Sequence, residues 1–284
     1  MSFEFGFDLC CLIFDIMSTF SQIDPEKEKR KIVSFIRTTL EKQGFKNVVI
    51  GMSGGVDSTT AFYLLKEAIP PENIFVAHLY YHSSQFKDIE GVIRKAGVPK
   101  ENIYEMPISP LVEAFQNVIP DLIGNLDPRF REDDSVRLGN IMARIRMIIL
   151  YDLAKKHKAL VCGTENKSES LLGYFTRFGD EASDFEPIQH LYKTQIFQLA
   201  KFLGIPKNII DKTPTAGLWQ GQTDEQEFGF SYKEGDQVLF YYYDKKLTLE
   251  EIKNKGFANA NKIINFSLKN AYKHRTPYVL NKNV

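Results

Sequence analysis

Residues 48–58 read Val48-Val49-Ile50-Gly51-Met52-Ser53-Gly54-Gly55-Val56-Asp57-Ser58, and they give the clearest indication of the fold. Its first three residues form a β-branched run that predicts a buried strand, whereas the residues from Ser58 to Ala68 have the composition of a helix. Glycines, serines and one aspartate separate the two elements. The stretch therefore predicts a strand, a loop and a helix in succession, and residues 51–58 are called the glycine-rich loop below.

Strand and helix patterns alternate along the rest of the chain. Short β-branched or apolar runs predict strands at 73–81, 102–106 and 158–163. Apolar residues at helical spacing predict helices at 24–42, 86–96, 108–118, 136–156, 193–203, 248–255 and 259–273, with a long irregular segment at 211–230. The alternation indicates an α/β fold: a doubly wound parallel five-stranded sheet flanked by helices, with helical N- and C-terminal extensions.

The chain is predicted to hold one domain, residues 23–284, after an N-terminal extension of residues 1–22 for which disorder is one outcome. Residues 3–20 are rich in Phe, Leu and Ile, but Glu4, Asp8 and Asp15 interrupt them and no basic segment precedes them. We therefore expect neither a signal peptide nor membrane insertion.

Net charge limits the kinds of ligand that we expect, and cysteine content indicates the cellular compartment. Lys plus Arg equals Asp plus Glu at 36 each, so no overall positive field favours a nucleic acid, and any bound nucleotide should be small. Cys10, Cys11 and Cys162 lack the spacing of a metal site or a disulfide framework, which favours the cytoplasm.

The residue types of the glycine-rich loop suit an anion and a metal ion. Glycines allow backbone N–H groups to close around phosphate oxygens, and the following helix adds the positive end of its dipole. Asp57 fits beside a phosphate if it holds Mg²⁺. The alternative is an ordinary tight turn in which Asp57 or Ser58 caps the helix. No lysine follows the glycines as in a P-loop, and no GxGxxG is present.

Ser53-Gly54-Gly55-Val56-Asp57-Ser58 resembles the loop of the ATP pyrophosphatase superfamily, whose members cleave ATP to AMP and pyrophosphate. That superfamily includes GMP, asparagine, argininosuccinate and NAD synthetases and tRNA-thiolating enzymes, so the loop leaves the substrate open. Two further blocks, residues 163–169 and 173–180, closely resemble the central signature of NAD synthetases.

The resemblance to NAD synthetases implies roles for particular residues. Mg²⁺ would be held by Asp57 and Glu169, and the catalytic residues would be Asp57, Lys193 and Asp180. ATP would be bound by Gly51, Met52, Ser53, Gly54, Gly55, Val56, Asp57, Ser58, Thr164, Lys193 and Thr215. Deamido-NAD would be bound by Arg144, Arg177, Asp184, Lys273 and His274.

Some of these residues depart from the family or have other interpretations. Arg177 stands where the family usually has lysine, and Lys273-His274 reverses the usual order. Lys193 could instead be a surface lysine. Arg146 lies on another side of its predicted helix than Arg144, which indicates a structural salt bridge. The lone tryptophan, Trp219, could pack on the core or stack on a ligand.

The resemblance also implies a reaction and an assembly. A ligase of NAD biosynthesis would join the carboxylate of deamido-NAD to AMP, release pyrophosphate, and let ammonia displace AMP. Fewer than fifty residues precede Val48, which leaves no space for a glutamine amidase domain, so ammonia is the expected nitrogen source. The family implies a homodimer. The alternatives are another ATP pyrophosphatase, such as a tRNA-thiolating enzyme, and a nucleotide-binding module without catalysis.

Overall fold

The computed structural model describes residues 20, 22–81, 86–118, 132–215, 217, 221–274 and 277–278. Most of the predicted N-terminal extension lies outside these residues, as does Trp219. No helix in the described ranges is long and apolar enough to cross a membrane.

A four-stranded parallel sheet lies at the centre of the described chain. Its strands are β1 (Asn47–Gly51), β2 (Ile74–Tyr80), β3 (Ile103–Pro107) and β4 (Ala159–Cys162), in the order β3-β2-β1-β4. Val49 of β1 pairs with Phe75 of β2 on one side and with Val161 of β4 on the other. The carboxyl end of β1, where the glycine-rich loop begins, is therefore flanked by the middle of β2 and by the end of β4.

Every predicted helix is present in the described residues, together with four further helices that were not predicted. In chain order they are α1 (Pro25–Gln43), α2 (Val56–Ala68), α3 (Phe86–Lys95), α4 (Ser109–Val118), α5 (Glu132–His157), α6 (Lys167–Leu172), α7 (Lys193–Phe202), α8 (Lys207–Ile210), α9 (Asp224–Phe228), α10 (Tyr232–Leu239), α11 (Leu249–Asn254) and α12 (Ala260–Asn270). Short 3₁₀ turns precede β2 and β3, a π-helical turn follows α10, and a 3₁₀ turn follows α12.

Both faces of the sheet are covered by helices. Val48 and Ile50 of β1 belong to an apolar core that α1, α2, α3 and α7 share, whereas Val49 belongs to a second core formed with α4 and α5. Successive residues of a strand point to opposite faces, which is why a continuous β-branched run suits a strand buried on both sides. A third core joins α6 to α10, α11 and α12.

The prediction of five strands is wrong for the described residues, which form a sheet of four. Beyond β4, an extended segment makes only an isolated bridge between Cys162 and Phe185. The side chain of Asp184 accepts the N–H of Val161 at 2.7 Å, and Pro187 has no N–H to donate. Pairing on this edge therefore does not extend into a strand.

The segment from 211 to 244 holds more helix than the sequence indicated. The predicted irregular stretch contains α9, and α10 with its π-helical turn was not predicted. Side chains cap both helices: Thr223 accepts from Gln226 N, and Ser231 accepts from Glu234 N. These helices cover one side of the candidate site.

Candidate active site

The glycine-rich loop leaves the N-terminus of α2 open. Met52 N donates to Ala77 O at 2.9 Å, which fixes the start of the loop against the middle of β2. Gly54 has a φ of 83°, a conformation that favours glycine. Gly55 is the N-cap of α2 and makes no side-chain capping bond, so the alternative of a turn capped by Asp57 or Ser58 is wrong. The first N–H groups of α2 and its dipole are thus available to an anion.

Asp57, Glu169 and Lys193 meet beside this loop. Lys193 Nζ donates to Asp57 Oδ2 at 2.6 Å and to Glu169 Oε1 at 3.2 Å. Lys193 is only 2% exposed, so it is not the surface lysine of the alternative interpretation. The three residues come from the starts of α2, α6 and α7, and both carboxylates contact the Lys193 ammonium group.

Asn166 connects this group to the turn after β4. Its Oδ1 accepts from Glu169 N at 3.0 Å, while Glu169 Oε2 accepts from Asn166 N, so the two residues form the capping box of α6. The Nδ2 of Asn166 donates to Asp57 Oδ1 at 3.0 Å. Asn166 therefore orients both carboxylates, that of Glu169 through its backbone N–H and that of Asp57 through its side-chain amide.

Lys193 is held in place by buried polar groups at its own backbone. Lys193 N donates to Ser168 Oγ at 2.8 Å, and Ser168 Oγ donates to Asp236 Oδ1 at 2.5 Å. Asp236 Oδ2 also accepts from the N and Oγ1 of Thr194. Asp236, on α10, thus takes the place of a capping side chain at the start of α7.

A third carboxylate, Asp224, lies near the lysine. Its oxygens accept from Tyr232 Oη at 2.8 Å and from Tyr174 Oη at 3.2 Å, and it is 2% exposed. Burial raises the pKa of Asp224, while Lys193 and the two tyrosines act in the opposite direction. The site therefore holds more carboxylate groups than ammonium groups.

Burial and charge shift the pKa values in opposite ways. Burial raises the pKa of Glu169 to about 7, although Lys193 opposes that rise. Burial by itself would lower the pKa of Lys193, but Asp57 and Glu169 raise it overall, so the lysine stays charged. An ammonium that remains protonated is suited to hold anionic oxygens rather than to move protons.

Two more carboxyl groups are buried behind the turn after β4. Burial raises the pKa of Glu165 to about 9 and that of Glu186 to about 8, so both are largely neutral at pH 7. Glu165 N donates to Glu186 Oε2 at 3.1 Å, and Gln189 Nε2 donates to Glu165 Oε2 at 2.8 Å. Glu165 Oε1 is buried without a hydrogen-bond partner in the described structure.

The residues predicted for deamido-NAD gather around residues 173–180. Arg144, on α5, donates through Nη2 to Arg177 O at 3.2 Å. Asp180 Oδ1 accepts from Thr176 N at 2.8 Å. The Lys273 ammonium donates to Gly173 O at 2.7 Å and to Phe175 O at 3.0 Å, and the His274 ring packs edge-on against Phe175.

The remaining predicted residues make the following contacts. Asp184 uses one carboxylate oxygen to bind Val161 N. Thr164 is half-buried after β4, and exposed Thr215 accepts from Gly217 N at 3.0 Å. Arg146, predicted to form a salt bridge, instead donates through Nε to Leu79 O at 2.9 Å.

The donor set suits a hard divalent cation that also binds a phosphate. No described group of three or more His, Cys, Asp or Glu could hold a metal ion by itself. Asp57 and Glu169 do share one cationic partner, so their oxygens converge on the same space. Mg²⁺ commonly takes one or two carboxylates, with phosphate and water as its other ligands.

Sequence reasoning missed Asn166, Asp224 and Asp236. Asn166 lies within the quoted block 163–169, and its place three residues before Glu169 is the signal of a capping box. Asp224 and Asp236 lie in and beyond a segment that was interpreted as irregular, so no periodic pattern pointed to them.

The chain is similar to known proteins over most of its length. The family model described as NAD synthase matches residues 28–277. The NH(3)-dependent NAD(+) synthetase of Fusobacterium nucleatum is 39% identical over 88% of this chain and 93% of its own length.

Solved structures resemble the chain over nearly all its length. NMN synthetase from Francisella tularensis superposes with a TM-score of 0.75 at 32% identity, covering 93% of this chain and all of the other. The NH3-dependent NAD synthetase of Campylobacter jejuni gives a TM-score of 0.71 at 30% identity, covering 91% of this chain and all of the other. The chain therefore belongs to the NAD synthase family.

Proposed function

We propose that this chain converts deamido-NAD to NAD with ATP and ammonia, through an adenylated carboxylate, and releases AMP and pyrophosphate. The observation that carries the proposal is the convergence of Asp57, Glu169 and Lys193 beside the open N-terminus of α2. Family membership and the NH(3)-dependent NAD(+) synthetases among its relatives support the same reaction.

ATP is used because a carboxylate is a poor acyl donor. Ammonia cannot displace an oxide from the nicotinate carboxylate, but it can displace AMP from the mixed anhydride. The carboxylate oxygen attacks the α-phosphorus and the bond to the β-phosphate oxygen breaks, with its electron pair leaving on pyrophosphate. The protein has to align two anions and stabilise the charge of the leaving group.

The residues around the glycine-rich loop would bind ATP and stabilise the charge of the leaving group. The N–H groups of the glycine-rich loop and of α2 bind phosphate oxygens, and the Lys193 ammonium provides a fixed positive charge. Asp57 and Glu169 would hold Mg²⁺, which when bound neutralises charge on the phosphates. Thr164 and Thr215 are proposed as further ATP contacts.

The deamido-NAD side carries the positive charges that its phosphates and carboxylate need. The guanidinium group of Arg144 donates to the backbone carbonyl of Arg177, which brings these two arginines to the same part of the structure. Lys273 and His274 support the turn at Phe175, and Asp180 binds the backbone of Thr176. We propose that these residues, with Asp184, bind the second substrate.

We further propose that the chain works in the cytoplasm as a homodimer that pairs through α4 and α5. These helices pack together and expose the apolar side chains Leu111, Phe115, Val136 and Ile148. Exposed apolar surface of this kind favours a partner surface of the same character. Ile148 follows Arg144 by one helical turn, which would place the interface next to the deamido-NAD residues.

NMN is a second candidate product, because NMN synthetase from Francisella tularensis superposes over 93% of this chain. The acid precursor of NMN is nicotinate mononucleotide, which carries the same carboxylate as deamido-NAD but lacks its adenylate half. Both candidates use the same activation chemistry at the same end of the substrate. They differ in whether the site must also bind the adenylate half of deamido-NAD.

The test is a product assay with purified protein, Mg²⁺, ATP and ammonium, supplied with deamido-NAD or nicotinate mononucleotide. We expect NAD and AMP in equal amounts, with deamido-NAD preferred. Asp57→Asn should lower the rate by about 100-fold or more, whereas Asp152→Asn, at an exposed position on α5, should not. Preference for the mononucleotide would establish the second candidate, and binding of ATP with no product from either substrate would indicate a nucleotide-binding module.

A further inference from the structure

A lysine from a distant segment lies against the glycine-rich loop. A methyl group built on Gly54 would lie 3.7 Å from the Nζ atom of Lys212. Gly54 is the first of the paired glycines and has a φ of 83°, and the same methyl group would lie 3.6 Å from Ile89 Cγ2 on α3. The ammonium group of Lys212 therefore lies beside the part of the loop that is shaped to accept an anion.

The backbone of Lys212 is anchored to buried structure. Lys212 N donates to the carbonyl of Ile209, whose side chain is 1% exposed in the core shared with α1 and α2. Two residues further on, Pro214 O accepts from Asp224 N at 3.1 Å. Asp224 is itself fixed by two tyrosines beside Lys193. The position of Lys212 thus depends on described, packed elements at both ends.

The charge of the site calls for a second cationic side chain. The Lys193 ammonium is already shared between Asp57 and Glu169, and Asp224 adds another carboxylate nearby. A triphosphate would bring several more negative charges to this loop. In P-loop proteins, a lysine directly after the glycines contacts the β- and γ-phosphates. Here Val56 and Asp57, and no lysine, come directly after Gly55 in the sequence, but the ammonium group of Lys212 lies next to Gly54 in the folded structure.

We propose that Lys212 binds the β- and γ-phosphates of ATP at the glycine-rich loop and stabilises pyrophosphate as it leaves. The proposal rests on the proposed function for the identity of the nucleotide. When the bond between the α-phosphorus and its bridging oxygen breaks, that oxygen gains the electron pair, and the adjacent ammonium offsets the new charge. Lys212 would then act on the leaving group, whereas Lys193 stays with the two carboxylates.

The experiment compares Lys212→Met, Lys212→Arg and Lys207→Met with the unmodified protein. Lys207 is a matched control because it lies on α8 only five residues away and its side chain is 90% exposed. Calorimetry measures the binding of magnesium pyrophosphate, magnesium ATP and AMP to each protein. We expect Lys212→Met to weaken pyrophosphate and ATP by about tenfold to a hundredfold, with AMP changed less than threefold.

Activity and stability measurements complete the test. The turnover rate of Lys212→Met should fall by a similar factor, and Lys212→Arg should recover most of the pyrophosphate affinity. Unchanged pyrophosphate binding in Lys212→Met overturns the proposal, as does an equal loss for AMP, which would indicate a structural role. If Lys212→Met melts at a lower temperature than Lys207→Met, Lys212→Gln serves as the second uncharged variant. Pyrophosphate binding is measured without deamido-NAD, so the result does not depend on whether amidation occurs.

Discussion

Lys193 determines the electrostatics of the candidate site. Its ammonium lies between the carboxylates of Asp57 and Glu169 and is almost fully buried. Neither carboxylate is strongly exposed, with 16% and 17% of the side-chain surface accessible. A charge that is removed from the middle of such a cluster leaves its partners without compensation.

We expect Lys193→Met to lower the free energy of unfolding by about 3 to 5 kcal/mol, because two half-buried carboxylates lose the buried ammonium that they share. Urea unfolding at pH 7 measures the change. Lys201→Met is the control, since Lys201 lies on the same helix at an exposed position. Equal stability of the two variants would show that the ion pairs contribute nothing to folding.

The sequence allowed part of this site to be predicted, because some of its residues lie in contiguous motifs. The resemblance to NAD synthetases pairs Asp57 with Glu169, and the structure connects the two carboxylates through Lys193. Asn166, Asp224 and Lys212 were not assigned, since their roles depend on contacts between segments far apart in the chain. Spacing along a chain does not encode such contacts, which arise only when the sheet brings its loops together.

At the scale of elements, patterns that repeat locally were reliable. The run 48–50 and the spacing of Ile32, Ile36 and Leu40 placed β1 and α1 within a few residues of their observed bounds. The helix α10 was missed because Gly235 interrupts it and its buried residues include Asp236 and Gln237. The prediction of a fifth strand was wrong because pairing beyond β4 stops at an isolated bridge. The Asp184 side chain accepts the N–H of Val161, and Pro187 has no N–H to donate.

The exposed apolar residues of α4 and α5 lead to a prediction about assembly. We expect the protein to be a dimer and Ile148→Glu to dissociate it, since a buried charge at the interface would lack a partner. Sedimentation velocity at one fixed protein concentration measures the change. The same variant should bind deamido-NAD more weakly, because Arg144 lies one turn away.

Phe202→Glu is the matched control for this substitution. Phe202 is 47% exposed at the end of α7, and Ile148 is 61% exposed on α5. The control should remain dimeric. A monomeric unmodified protein, or an Ile148→Glu variant that stays dimeric, would contradict pairing through α5.

The stability of the whole molecule should depend on pH through its buried carboxyl groups. Glu165 and Glu186 have pKa values raised by burial to about 9 and about 8, whereas an unfolded glutamate ionises near pH 4.5. Between those values the folded chain keeps protons that the unfolded chain releases. The unfolding free energy therefore falls as pH rises from about 4.5 towards 8 or 9.

We expect Glu165→Gln to reduce this fall, because glutamine fills the same space without ionising. Between pH 5 and pH 8, the unfolding free energy of the variant should drop by about 1 to 4 kcal/mol less than that of the unmodified protein. Urea unfolding at several pH values provides the measurement. Glu113→Gln, at an exposed position on α4, is the control. Parallel pH curves for the two variants would mean that Glu165 is already ionised at pH 8 in the folded state.

Gly173 ends α6, the helix that carries Glu169, and lies directly against α12. A methyl group at this position would lie 2.5 Å from Asn270 Cβ on α12, and the φ of 63° already favours glycine. Asn270 Nδ2 also donates to Leu172 O, so α12 lies directly on the turn that ends α6. A chain that lacks residues 260–270 therefore loses this support for the helix that carries Glu169, so the candidate site forms only once α12 has been synthesised and packed.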